Sequence, residues 1–258
     1  IGGGCTENEL DLEIETDGVS TTLWEVRVQG TNAVAANGGQ LYGAGTVNED
    51  ICLADGCYYL VVTDDAGDGI TGGGYILRDP SAKRIIDNSD NFSTGSTSQI
   101  FGNEGFCLPL GNDRLISSSC DRLQLQRGAT ANCSDRLTAD NTPNSTSGNV
   151  YQFQVFDPNG TEAPVLVPAT GAGSNVLSMN QLPSLTAGKL YNVRVRTRIS
   201  PGVYRPWGPV CRMMIAVPPA CPTTQLVDDA SSTNWSCGKT ITLPAGGNGP
   251  ANRVNAFN

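Results

Sequence analysis

The sequence predicts an all-β protein, a tandem of β-sandwiches, and three observations carry that reading. Apolar residues alternate with polar ones over short runs, and no stretch keeps them at i, i+3, i+4 and i+7 for three turns. The 31 Gly and 15 Pro among 258 residues, with many Ser, Thr and Asn, mark frequent turns. Nine cysteines and no histidine point to disulfide-stapled modules in an oxidising compartment.

The first module is expected over residues 8–107, after a short linker, 1–7. Leu10, Leu12 and Ile14 alternate with acidic residues and make a half-buried strand; Asp17-Gly18 closes it. Trp24, Val26 and Val28 give a second strand, and Thr31 to Asn48 reads as a Gly/Asn-rich connection. Ile51-Cys52-Leu53 and the run Cys57 to Thr63 flank Ala54-Asp55-Gly56, which reads as a tight hairpin-like turn. Gly74 to Arg78, Arg84-Ile85-Ile86 and Ser98 to Phe101 supply the remaining strands. Seven or eight short strands in about 100 residues suits a sandwich.

A second module is expected over 108–217. Its clearest strands are Val150 to Phe156 and Leu190 to Ile199, and Asp157-Pro158-Asn159-Gly160 is a turn with Pro at its second position. The opening of this module, Cys107-Leu108-Pro109 through Leu115 to Cys120, is echoed by Cys221-Pro222 through Leu226 to Cys237. Residues 218–258 therefore read as the start of a further repeat, incomplete alone, since one or two strands cannot bury a core. Beginning at Ile1-Gly2-Gly3-Gly4, the chain reads as a piece of something larger.

Charge excludes some partners. The net charge is −9, and the lysines are Lys83, Lys189 and Lys239 alone, whereas nucleic-acid binders carry basic stripes. No run of 18 apolar residues spans a membrane. Without histidine there is no Ser-His-Asp triad, Cys-His pair or H-E-x-x-H site, and the chain reads as a non-enzyme. Zinc would need short paired Cys spacings, and Cys52/Cys57 is the one close pair.

Asp64-Asp65-Ala66-Gly67-Asp68-Gly69-Ile70 concentrates three carboxylates and two glycines between two strands. Calcium takes six to eight oxygens, and Asp64, Asp65 and Asp68 are its candidate ligands if Gly67 and Gly69 let the backbone curl. The loop is not an EF-hand, and the competing reading is a polar turn whose Asp side chains bond their own backbone.

A disulfide between Cys52 and Cys57 would fix the turn leading into this loop. The repeat argues for Cys107–Cys120 and Cys221–Cys237, leaving Cys133–Cys211 to staple the second module and Cys5 to pair elsewhere. Sequence alone leaves this connectivity open. Arg194, Arg196 and Arg198 alternate on one face near Trp207. They read either as a binding patch for an acidic glycan or partner, or as an intramolecular stack on aromatic rings. N-x-S/T sequons occur at Asn91, Asn132, Asn144, Asn159 and Asn234.

Three groups of residues carry a resemblance. Cys52-Leu53-x-x-Gly56-Cys57-Tyr58, Asp64-x-x-Gly67-Asp68-Gly69-Ile70 and Gly74-Tyr75 resemble a CUB-like or jelly-roll-like calcium sandwich of secreted Bacteroidota proteins. That resemblance implies calcium at Asp64 and Asp68, with Asp65 as a further ligand. One departure is Ser20-Thr21-Thr22-Leu23, where the family often has an acidic residue before the Trp. Leu185-x-x-Gly188-x-x-Tyr191-x-Val193-x-Val195 resembles fibronectin type III domains, where the Tyr bonds back to the backbone. Phe106 to Arg122 and Trp207-Gly208-Pro209-x-Cys211-Arg212 are similar to large surface proteins of gliding and marine Bacteroidota, exported by the type IX route. The resemblance implies an extracellular or cell-surface adhesin or filament component. Its partners would be copies of itself, further modules of the parent chain, or surface glycans. The alternative is a non-catalytic accessory region of a secreted hydrolase.

Overall fold

Alternation in sequence becomes alternation in space. In the computed structural model, which describes residues 4–41, 43–100, 105–128, 134–140, 151–168 and 175–217, the chain is all-β. Nine strands cover its first half: β1 (Asn8–Asp17), β2 (Thr22–Val28), β3 (Val34–Leu41), β4 (Ala44–Leu53), β5 (Gly56–Asp64), β6 (Gly74–Arg78), β7 (Arg84–Asp87), β8 (Thr97–Gln99) and β9 (Phe106–Leu108). They form two sheets, ordered β4-β1-β6-β7 and β3-β2-β5-β8, with β9 also paired to β5. Leu10, Leu12 and Ile14 of β1 face Trp24 and Val26 of β2 and Leu60 and Val62 of β5 in one buried cluster.

The second half holds β10 (Arg122–Leu125), β11 (Arg136–Thr138), β12 (Tyr151–Phe156), β13 (Val165–Pro168), β14 (Val176–Ser178), β15 (Leu190–Ser200), β16 (Val203–Tyr204) and β17 (Cys211–Ile215). The large sheet runs β10-β17-β15-β12-β13, with β16 on β15, and β11 pairs with β14 as a second layer. Tyr151, Phe153, Val155, Tyr191, Val193 and Val195 meet Leu137, Leu177 and Leu182 in a separate core. The Tyr191 hydroxyl accepts the Thr186 N–H at 2.8 Å and donates to Glu162 at 2.6 Å, so it bonds back to upstream backbone.

Two local expectations are corrected. The Thr31 to Asn48 stretch is not a connection but contains β3 and the first half of β4. Both are edge strands, largely solvent-facing, so neither needs the apolar alternation that reveals a strand. Ala54-Asp55-Gly56 does not close a hairpin. It carries the chain from β4 in one sheet to β5 in the other.

Candidate functional site

The acidic loop leaves the end of β5, and its geometry is set by Asp64. That residue is only 2% exposed. Its Oδ2 accepts three backbone N–H groups, from Gly67 at 2.8 Å and from Asp68 and Gly69 at 3.2 Å each. Its Oδ1 accepts the Ser20 hydroxyl. Gly67 and Gly69 take φ of +81° and +77°, a curl that turns N–H groups toward the carboxylate. A Cβ on Gly69 would also meet the Thr94 nitrogen at 2.6 Å. Asp65 Oδ1 accepts the Thr21 N–H at 2.8 Å, and Asp68 is exposed. Asp17 joins the same apex, accepting N–H groups from Val19 at 2.9 Å and Thr71 at 3.1 Å. The Val19 bond above all holds the Asp17 carboxyl below its ordinary range.

Among the described residues no three acidic, Cys or His side chains converge on one point. Asp64 does not fit a calcium ligand as placed, because the lone pairs a cation would take already face N–H and O–H donors.

The arginines stack internally. β15 and β12 pair so that Gln154 lies opposite Arg194 and Gln152 opposite Arg196. Each Gln accepts its Arg Nε–H, at 2.7 and 2.8 Å. Trp207 lies between the two guanidiniums, 5.0 Å from Arg194 and 4.2 Å from Arg196. Phe156 and Tyr204 extend the stack at 5.1 and 4.3 Å. The rings hold Arg194 and Arg196 in cation–π contacts. Arg198 is exposed beyond them, opposite Tyr204 in the β15–β16 ladder.

The cysteine pairing is corrected. The bonds are Cys5–Cys52, Cys57–Cys107 and Cys120–Cys211. Cys52 and Cys57 do not pair because their strands belong to different sheets. Cys57 instead sits directly opposite Cys107 in the β5–β9 ladder. Cys120 precedes β10 and reaches Cys211 on the neighbouring β17, so Cys107–Cys120 and Cys133–Cys211 do not form. Cys133, Cys221 and Cys237 lie outside the described residues, as does the repeat over 218–258.

Sequence reasoning missed the junction between the halves. The turn after β12 is seated in the first sandwich. Asn88 Nδ2 donates to Asn159 Oδ1 at 2.7 Å, and Asn159 Nδ2 donates to the Asn91 carbonyl at 2.8 Å. Ser98, fully buried, bonds Tyr75 and Asn159 at 2.7 Å each. Phe156 and Val210 belong to the first core although they come from the second half. Around this centre Arg84 grips Asp121 at 2.7 and 3.0 Å and Asp87 at 2.8 Å, while Arg212 reaches Ser89 at 2.8 Å. The one sequence signal was the Pro-Asn-Gly turn, which says where the chain reverses but not what receives it.

No protein-family model matches this chain, and no curated protein matches it.

Proposed function

We propose that this chain is a structural segment of an extracellular surface protein, an adhesin or fibre element, whose task is to carry tension without lengthening. The observation that supports this is the order of the disulfides. Cys5–Cys52, Cys57–Cys107 and Cys120–Cys211 follow one another without nesting, with sequence separations of 47, 50 and 91. A pull from residue 5 to residue 211 passes through sulfur and bypasses the chain inside each loop. Only 52–57 and 107–120 stay outside the loops.

Disulfides fit an oxidising exterior, and no helix among the described residues is long and apolar enough to cross a membrane. The resemblance to type IX-exported surface proteins agrees with this reading. Partners on this view are further modules and neighbouring copies. Residues 1–107 hold 17 acidic and 4 basic side chains, whereas 108–217 hold 6 and 10. That imbalance favours head-to-tail approach of copies over like-with-like contact.

Single-molecule pulling between handles at the two ends tests the proposal. At ~3.3–3.6 Å per residue, the oxidised stretch from 5 to 211 should release on the order of 60 Å of contour length, and the reduced one on the order of 700 Å. An oxidised chain that lengthens as far as the reduced one would overturn it.

A further inference from the structure

We propose that the Asp64–Ile70 loop is closed by its own hydrogen bonds, with Asp64 as the acceptor at its centre and Ser20 as a donor, and that it binds no calcium.

A calcium ion sits ~2.3–2.6 Å from its oxygens and needs their lone pairs free. Asp64 Oδ2 instead faces three backbone N–H groups, whose positive ends repel a cation. Oδ1 is taken by Ser20. The positive-φ glycines that could have aimed carbonyls at a metal aim amides at a carboxylate. The neighbouring loop is tied in the same way: Asp65 and Thr21 exchange two bonds, 2.8 Å through the Asp65 side chain and 3.2 Å through its N–H. The Asp64 N–H donates to Ser96 at 2.9 Å and the Ile70 N–H to Phe92 at 2.5 Å, so a third segment closes over the apex.

Ser20 is the position that decides the chemistry. A hydroxyl there donates to Asp64. A carboxylate in its place would face Asp64 as a like charge, and only a cation would relieve that pair.

Thermal unfolding of the full chain, in EDTA and in millimolar calcium, tests this. The wild-type midpoint should be the same in both. Asp64→Asn and Ser20→Ala should each lower the midpoint by several degrees, equally in both buffers. Ser20→Asp should lower it in EDTA and regain part of the loss in calcium. The proposal is overturned by a wild-type midpoint that rises with calcium and loses that rise in Asp68→Ala. It is equally overturned if Asp64→Asn leaves the midpoint unchanged. Should Ser20→Asp not fold, the wild-type comparison and Asp64→Asn still decide the matter.

Discussion

The side-chain amide of Asn192 is paired with the backbone of Asp87, accepting its N–H at 2.8 Å and donating to its carbonyl at 2.7 Å. Asn192 is fully buried, and the two bonds copy one rung of a β-ladder between halves 105 residues apart. Asn192→Ala leaves two buried backbone groups unpaired, at ~1–3 kcal/mol each. Chemical denaturation should show a lower midpoint and a broadened or two-step transition as the sandwiches uncouple. A single sharp transition at the wild-type midpoint would count against a coupled junction.

Gly160 tests the same junction from the turn after β12. Its φ is +65°, and a Cβ there would overlap the Gln99 carbonyl oxygen. Gly160→Ala combines left-handed strain, ~1 kcal/mol or more, with displacement of the turn. The Asn159 bonds should be lost, and limited proteolysis should then cut between the halves faster than in the wild type.

Trp207→Leu removes the ring shared by Arg194 and Arg196. Each cation–π contact contributes ~0.5–2 kcal/mol depending on its exposure, so a loss of about 1–3 kcal/mol is expected. Arg196→Lys should recover little, because an ammonium cannot lie flat on the ring and bond Gln152 in the same plane. Calorimetric midpoints of the two variants and the double variant give the coupling directly. Strict additivity would mean that the stack contributes nothing as a unit.

Alkaline pH should unfold the chain through two tyrosines. Burial pushes the Tyr75 phenol up to about 12. Burial, and then the Glu162 carboxylate that its hydroxyl bonds, push Tyr191 up to about 12 as well. Both phenols stay neutral in the fold and ionise near pH ~10 when unfolded. Their contribution is complete below pH ~10 and is lost as pH rises towards ~12. In acid the sign reverses for Asp157 and Glu162. Burial alone would raise them, but Thr161 and Lys189 on Asp157, and Tyr191, Thr186 and Lys189 on Glu162, hold both below their ordinary range. Their stabilisation is present above pH ~4 and fades below it. Tyrosinate absorbance and circular dichroism should move together at high pH. Complete tyrosine ionisation near ten with the fold intact would refute the assignment.

Strands with a strong apolar code were legible: β1 and β2 by alternation, β6, β12 and β15 by apolar runs buried on both faces, each within a residue or two of its expected place. The edge pair β3–β4 was not, because glycine-rich edges need no apolar code. Cysteine pairing was illegible because it depends on which strands become neighbours. Cys52 and Cys57 are five residues apart yet enter opposite sheets. At Asp64 the acidic turn after a strand was legible, but whether Asp64, Asp65 and Asp68 face a cation was not, because the same glycine curl can aim carbonyls outward or amides inward. Only the placement of Ser20 and the Gly67–Gly69 amides separates the two. The junction was hidden because Asn88, Asn159 and Asn192 look like ordinary loop and strand polar residues until their partners are known.

The seated turn also makes the chain sensitive to where it is made. Asn159-Gly160-Thr161 is an acceptor sequence for N-linked sugar, and the amide nitrogen that would carry the sugar is the one that donates to Asn91. Asn91-Phe92-Ser93, across the same contact, is another acceptor, and its amide already donates to Asn88 at 2.6 Å. A cell that glycosylates during export would meet these asparagines before the halves dock, and an oligosaccharide on either would hold the halves apart. Material from a glycosylating host should regain the docked form when Ser93→Ala and Thr161→Ala remove the acceptors and leave both asparagine amides in place.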